Sequence, residues 1–485
     1  MCGLIGGTLY DADTAAEALD QLEHRGRDAR RISYYQEDSL YLGHRRLSIQ
    51  DLSGAADQPL EGHYTSLVFN GELWHRSMDA YPLYSSDTKL LADLYGQHGA
   101  DPADWARRLD GMFACAIYDR TRRRLVLARD WLGRIPLYYV LDRGGIAFAS
   151  EAKALTGPLG CGFAGNNPRA QRRSAVKLFP PGHVATYDLA NGYLRIVPFR
   201  DFGNYRGDVA THDVPDAGSG YYVQGIRGLL EAAVRNEAIA DVPVCTILSG
   251  GIDSTLITAI LAKQIPNLRA YTVSVGPSNG KDDLAFARRA AAAIGVPLTE
   301  VILEPDDVVH GLEEAVWAVE DDRWVQVAPA VPQIALAQAI GADGYKVVFG
   351  GEGSDELFGS YGDVRRWSWR PQQYYDRRLG LCERLHDNNL IRGNKAMMCG
   401  GTVELRTPFL DRELVDFCLR IPTRYRSNDD GKGTVLKPLL REAFRGLLPD
   451  DLLMRKKVTF QEGAHSDFLK EYKDVIGSLF RGLFG

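Results

Sequence analysis

Through the first 200 residues, short apolar runs alternate with polar or small positions, and turn residues punctuate them. Strands are predicted at 3–10, 40–49, 65–69, 113–118, 124–128, 137–140 and 183–187, whereas helical spacing is clearest at 15–22 and 87–95. Such a pattern predicts a layered α+β domain over 1–200, built on antiparallel sheets. Residues 201–220, DFGNYRGDVATHDVPDAGSG, carry no period and are predicted to be a linker. From 221 to 485 the period changes. Helices are expected at 221–238, from 254, at 284–294 and around 308–319 and 331–340. Between them fall strands from 242 and at 268–275, 298–303 and 345–349. This rhythm predicts an α/β domain with a doubly wound parallel sheet and ligands at the strands' carboxyl ends. The last hundred or so residues look mainly helical, and the amphipathic tail 469–483 is expected to dock on the protein, not to anchor it in a bilayer.

Composition narrows the possibilities. A chain of 485 residues exceeds a single core. The net charge of −6, from 57 basic and 63 acidic residues, argues against a general nucleic-acid binder. No run approaches the ~18 apolar residues of a membrane span, and the start MCGLIGGTLYDADT has no basic segment of the kind that opens a signal peptide. The seven cysteines (2, 115, 161, 245, 382, 399 and 418) never form CxxC. That disfavours a disulfide framework or structural zinc and suits the cytoplasm.

The stretch 242–255, VPVCTILSGGIDST, breaks an apolar run at two glycines and turns directly into a helix. Backbone N–H groups and the positive helix end then face whatever lies above, which makes an anion site. Ser249 and Ser254 add hydroxyl donors, and Asp253 can hold a divalent cation against the bound anion. The Gly-Lys-Ser/Thr ending of a Walker A loop is missing. SGGxDS resembles the signature of the PP-loop ATP pyrophosphatases, which split ATP between the α and β phosphates. Their sulfur-transfer branch commonly uses paired cysteines, which this chain lacks.

Cys2 follows the initiator methionine, whose removal would leave a thiol beside its own α-amino group, a base near neutrality. MCGLIGG is followed in order by HRGRD (24–28), HRRLSI (44–49), FNGEL (69–73), SSD (85–87) and DGMFACAIYD (110–119). Together these resemble a class II, N-terminal-nucleophile glutamine amidotransferase domain. The resemblance implies that Cys2 attacks the glutamine amide and that Asn70 and Gly71 form the oxyanion hole. It further implies that Arg46 pairs with the substrate α-carboxylate while Glu72 and Asp87 take its α-ammonium. The chemistry suits these types: an anionic intermediate needs fixed donors, and a guanidinium meets a carboxylate in two-point contact.

A second glycine–acid cluster, FGGEGSDELFGSY, follows the strand expected at 345–349 and places Glu352, Asp355 and Glu356 within five residues. Paired with SGGIDS on a neighbouring strand, it is expected to be a metal and base site. RD (129–130), LYY (137–139), FASEAKAL (148–155), RGNKAMM (392–398), VELRTPFLD (403–411), KPLLREAF (437–444) and RKKVTFQEG (455–463) extend the resemblance to the glutamine-hydrolysing asparagine synthetases over nearly the whole chain. That family implies ATP and Mg2+ as cofactors and Glu352 as the base for attacking ammonia. It implies Asp253 and Asp355 as magnesium ligands and Lys457 as the neutraliser of developing phosphate charge. The ATP contacts would be Leu248, Ser249, Gly250, Gly251, Asp253, Ser254, Val275, Gly350 and Gly351. Three positions depart from the family pattern: Arg27 in HRGRD, Ile135 where lysine is usual, and Gly350 where serine is common.

The expected substrates are glutamine, ATP and a carboxylic acid, by default aspartate, with no nucleic-acid or membrane partner and a possible homodimer. Ammonia is expected to pass between the sites along a closed path. The alternatives are amidation of a natural-product or sugar acid, and internal amide formation as in β-lactam synthetases and lasso-peptide cyclases, which generally lose the N-terminal cysteine. A third is a non-catalytic nucleotide-sensing relative, which the carboxylates Asp253, Glu352 and Asp355 disfavour.

Overall fold

The computed structural model describes residues 1–74, 86–166, 171–206, 218–276, 282–361, 370–387, 389–425, 436–455 and 472–484. The first half contributes β1 (Gly3–Gly7), β2 (Ala29–Tyr35), β3 (Leu40–Arg46), β4 (Leu60–Glu61), β5 (Thr65–Leu73) and β6 (Gly111–Asp119). It continues with β7 (Arg124–Arg129), β8 (Tyr138–Asp142), β9 (Gly145–Ala149), β10 (Lys177–Leu178), β11 (His183–Asp188) and β12 (Leu194–Pro198). They form two six-stranded sheets, ordered β10-β8-β9-β1-β3-β2 and β12-β11-β7-β6-β5-β4, with antiparallel pairing throughout.

Side-chain alternation explains the layers. In β6, Met112, Ala114, Ala116 and Tyr118 join Leu4, Leu42 and Phe148 of the other sheet in the central core. The intervening Phe113, Cys115 and Ile117 pack under the helices Asp87–His98 and Pro102–Arg108. In the facing sheet, Ile5, Ala147 and Ala149 pack under the helices Ala12–Asp20 and Lys153–Leu159. A strand buried on both faces has no polar alternation to reveal which side is which. The order is helix, sheet, sheet, helix.

The second half holds a five-stranded, wholly parallel sheet. Its strands are β13 (Val244–Ile247), β14 (Ala270–Val275), β15 (Leu298–Leu303), β16 (Val347–Phe349) and β17 (Glu404–Arg406), in the order β15-β14-β13-β16-β17. β13 lies between β14 and β16, where the strand order reverses, so the loops after β13 and β16 share the crevice at their carboxyl ends. The helix Trp324–Ala342 is long and apolar enough to cross a bilayer, but 67% of its apolar window is buried inside the protein.

Residues 201–206 are not a loose linker. Phe202 and Tyr205 are buried against Trp131, and the Tyr205 carbonyl accepts the Tyr375 hydroxyl at 2.8 Å. The terminal helix Lys473–Phe484 does dock, with Ile476, Phe480 and Phe484 buried and both phenylalanines against Phe163.

Candidate active site

Cys2 is partly buried just ahead of β1. Its Sγ accepts the Leu47 N–H at 3.4 Å and lies 3.8 Å from the Leu47 carbonyl oxygen. The pairing of β1 with β3 sets this contact, since Gly3 stands opposite Arg45. Burial pushes the thiol up to about 11, opposed by the nearby α-amino group and the Leu47 backbone and reinforced by Glu404 and Glu72. Arg25 donates from Nε to the Cys2 carbonyl at 3.0 Å and from Nη1 to Glu151 at 2.5 Å.

Asn70 and Gly71 lie in β5 opposite Ala114 and Phe113. Gly71 has φ +134°, and a Cβ there would stand 1.9 Å from the Met112 carbonyl oxygen, so only glycine fits. Asn70 is fully buried, and neither Nδ2 nor Oδ1 has a hydrogen-bond partner among the described residues. Each such unmet group costs about 1–3 kcal/mol. A developing oxyanion that accepted the amide N–H would recover part of that cost, the arrangement an oxyanion donor requires.

Glu72 and Asp87 belong to one buried acid cluster. Glu72 contacts Gln50 Nε2 and lies 3.2 Å from Arg406 Nη2; Asp87 accepts the Leu73 N–H at 3.3 Å. Burial, with Glu404 adding repulsion, holds Glu72 well above the usual carboxylate range, and burial raises Asp87 to about 7. An incoming ammonium would relieve acids raised by burial and by their mutual repulsion. The α-amine of Met1, itself buried, lies 3.5 Å from Glu404 in this cluster. Arg46 is buried too, not a solvated surface residue. It donates to Ser53 O at 2.6 Å, Asp57 Oδ1 at 2.8 Å and Gln50 O at 3.4 Å, and it contacts Asp51 O. A substrate carboxylate would have to share the guanidinium with these acceptors.

Sequence reasoning assigned Glu404 and Arg406 no role. Both come from β17, the edge of the parallel sheet, and Arg406 Nε is 2.9 Å from Glu404. The available signal was a Glu-x-Arg pair on a short apolar strand, hidden because three residues are too few to show a period.

At the other centre, Leu248 is buried, and its N–H donates to Tyr271 O at 2.8 Å. The Ser249–Ser254 turn is closed by its own hydroxyls: Ser254 Oγ is 3.1 Å from Ser249 N and 3.0 Å from Ser249 Oγ. Gly250, at φ +72°, backs onto the helix Asp283–Ile294; a Cβ there would meet Ala287 N at 2.6 Å. Gly251 precedes the helix Ile252–Ala262, and Val275 ends β14, buried. A Cβ on Gly351 would lie 2.8 Å from Asp253 Cβ and 2.9 Å from Ser254 N. The two glycine loops therefore touch.

Glu352 Oε2 is buried with no hydrogen-bond partner among the described residues. Burial raises this acid, and Arg392 opposes the shift. A Cβ at Gly350 would fall 2.0 Å from that oxygen, so glycine makes room for the carboxylate where the family usually has serine.

Lys437, the first residue of the KPLLREAF match but given no role there, unites the loops. Its buried Nζ lies 2.6 Å from both Asp253 oxygens, 2.7 Å from Asp355 Oδ1 and 3.1 Å from Ser354 Oγ. Burial works to lower this ammonium, but the two carboxylates outweigh it and hold it above its ordinary value. Among the described residues no group of three or more His, Cys, Asp or Glu side chains could hold a metal. Asp253 and Asp355 nevertheless converge on one cation, and magnesium commonly needs only one or two carboxylates plus substrate phosphates. The donor set fits Mg2+ brought in with a nucleotide. Lys457 lies outside the described residues.

Two centres thus occupy one chain, a partly buried thiol beside unmet amide donors and two glycine loops joined by a lysine, the layout of a glutamine-dependent ligase of the amidotransferase class. Residues 1–188 match the glutamine amidotransferase domain family, and 225–384 and 378–483 match the asparagine synthase family. Asparagine synthetase B [glutamine-hydrolyzing] of Escherichia coli (strain K12) is 30% identical, over 98% of this chain and 84% of that protein. Asparagine synthetase [glutamine-hydrolyzing] 3 of Arabidopsis thaliana is 30% identical over 94% of this chain and 77% of its own length. The chain belongs to the glutamine-hydrolysing asparagine synthetase family and is an ATP-using ligase.

Proposed function

We propose that the protein converts aspartate to asparagine, with AMP and pyrophosphate as co-products, using ammonia released from glutamine at Cys2. The observation that carries this reading is the contact of the Ser249 turn with the Glu352 loop, with Lys437 gathering Asp253 and Asp355 between them.

A carboxylate is a poor electrophile, so an acceptor oxygen first attacks the α-phosphorus and pyrophosphate leaves. The backbone N–H groups of the Ser249 turn and the Lys437 ammonium hold the phosphates. Asp253 and Asp355 would hold Mg2+, which supplies charge neutralisation on the departing pyrophosphate. Ammonia then adds to the acyl carbon and AMP leaves. Glu352, whose raised pKa brings it nearer neutrality, takes the proton lost by the attacking nitrogen.

In the other half-reaction Cys2 Sγ attacks the glutamine amide carbon while Asn70 Nδ2 and Gly71 N donate to the oxyanion and Glu72 and Asp87 receive the α-ammonium; the thiol proton passes to the departing nitrogen as the C–N bond breaks, and water then cleaves the thioester to glutamate and restores the thiol. While Met1 remains attached, the Cys2 nitrogen is an amide and cannot act as a base; its removal would free both that amine and the space beside Glu404. The assignment is tested by pyrophosphate release with Mg-ATP and ammonium across a panel of carboxylic acids. Aspartate should stand out. Selective release with a sugar acid or other natural-product acid would move the acceptor assignment there, and no release with any acid would sink the scheme.

A further inference from the structure

Beside Glu352, a guanidinium and a carboxylate stand on either side of one amide group. Arg392 belongs to the helix Asn389–Gly401, one turn after Asn389. Its Nη1 donates to Asn389 Oδ1 at 3.2 Å and to Gln326 Oε1 at 3.5 Å, and its Nε donates to Gln333 Oε1 at 3.3 Å. All three acceptors are neutral amides. Among the described residues no carboxylate lies within ion-pair distance of this guanidinium, and Nη2 makes no hydrogen bond. Arg392 is half-buried, so it keeps surface open to water. Burial lowers its pKa, and Glu352, Tyr361 and Glu356 are near enough to oppose that shift.

Glu356, 4% exposed, comes from the helix Ser354–Phe358 that follows the Glu352 loop. Its Oε1 accepts the Tyr361 hydroxyl at 2.8 Å and Asn389 Nδ2 at 3.1 Å. Among the described residues Oε2 has no hydrogen-bond partner, and no cation lies within ion-pair distance. Asn389 therefore holds the carboxylate with one end of its amide and the guanidinium with the other. A buried ion without a counter-ion is costly, and here two of opposite sign stand one amide apart without pairing. A free α-amino acid carries the complementary set, an ammonium and a carboxylate on one carbon, and its carboxylate suits the guanidinium's paired donors. A sugar acid or a simple diacid lacks the ammonium.

Resting on the amidating reading above, we propose that Arg392 and Glu356 set the class of acceptor. Arg392 takes the α-carboxylate and Glu356 the α-ammonium of a free amino acid, whose side-chain carboxylate then faces Glu352 and the Ser249 turn. Asn389 positions the pair.

The test measures kcat/KM for pyrophosphate release, with Mg-ATP and ammonium, for aspartate, succinate and 3-aminopropanoate. Succinate lacks the ammonium, and 3-aminopropanoate lacks the α-carboxylate. Wild type should favour aspartate over each analogue by about 10- to 100-fold, the worth of a hydrogen bond to a charged group. Arg392→Gln should lose its preference over 3-aminopropanoate yet keep that over succinate. Glu356→Gln, which keeps an acceptor for Tyr361 and Asn389, should do the reverse. Ratios within one variant cancel any change at Glu352 or in the folded fraction, and the wild-type ratios decide even where a variant fails to fold. A purely structural role would depress all three acids alike, and a phosphate contact would raise KM for ATP with every acid. Either result overturns the proposal, as does a wild type that uses an analogue as well as aspartate. Aspartate turnover without the crossed pattern leaves the amidating reading standing and overturns only the acceptor assignment; no release with aspartate overturns the reading on which that assignment rests.

Discussion

Replacing Lys437 by methionine keeps much of its length but removes the charge that joins the two glycine loops. Its Nζ makes three contacts of 2.6–2.7 Å with two carboxylates and is 1% exposed as a side chain. At an effective dielectric near 20, one such pair is worth roughly 6 kcal/mol of Coulomb energy. Dehydrating three ions offsets much of that, and measured losses on removing one partner of a buried pair are about 3–5 kcal/mol. Asp253 and Asp355 are 20% and 21% exposed, so water relieves part of the repulsion left behind. The low end applies, about 3 kcal/mol, or roughly a hundredfold in the local opening equilibrium. Urea unfolding followed by intrinsic fluorescence, at fixed pH near 7, should show that loss. Millimolar Mg2+ should restore more stability to the variant than to the wild type, because a metal bound only by the folded state replaces the missing charge. Ammonia-dependent pyrophosphate release should stay depressed. A variant as stable as wild type without metal, or one that Mg2+ leaves unchanged, would refute the placement of a cation site between Asp253 and Asp355.

Three further outcomes follow from the division between the centres. Cys2→Ala should abolish glutamine-dependent synthesis while ammonium-dependent synthesis continues; loss of both activities in a folded variant would show that Cys2 is not confined to releasing nitrogen from glutamine. Glu352→Gln should lower product formation from either nitrogen source by about 10²–10⁴-fold, the usual worth of a general base, and a steady-state rate near wild type would place the base elsewhere. Asp87, raised to about 7 in the fold, binds a proton between pH 4 and 7 that the unfolded chain has released. Its contribution to stability is therefore full below about pH 4 and is lost as the pH rises through 7. Asp87→Asn should match wild type at pH 4, exceed it in stability at pH 8, and erase an inflection near pH 7 in kcat/KM for glutamine; an unchanged profile would show that Asp87 does not receive the ammonium.

Much of the fold was legible where period and punctuation agreed. The strand expected at 298–303 occurs as Leu298–Leu303, and the glycine pair after β13 marked the turn into the helix Ile252–Ala262. β2 was not, because ARRISYY mixes arginine and tyrosine on a half-exposed strand whose outward face mimics a polar loop. The span 308–319 was expected as one helix, but Gly311 divides it into Pro305–His310 and Leu312–Val319. The segment 201–206 looked like linker because two isolated aromatics in a glycine-rich run carry no period, yet tertiary contacts bury them. The site divided in the same way. Loop candidates could be nominated from local chemistry, whereas Lys437, Glu404 and Arg406 make contacts across distances of sequence that no window spans.

Glu404 and Arg406 change how the halves relate, since they reach Met1 and Glu72 of the first half. A glutamine site complete within 1–200 would leave the two reactions merely tethered. Instead Arg406, from the edge of the parallel sheet, lies 3.2 Å from Glu72, so the buried acid cluster of Glu72 and Asp87 is completed by the other half. The helix Asn389–Gly401 repeats the theme. Its Arg392 is close enough to Glu352 to counter that acid's rise, while Asn394 Oδ1 accepts from Arg25 Nη2 at 3.3 Å, and Arg25 in turn holds the Cys2 carbonyl. Residues two apart on a helix point about 200° apart, so one rigid element presents opposite faces to the two centres.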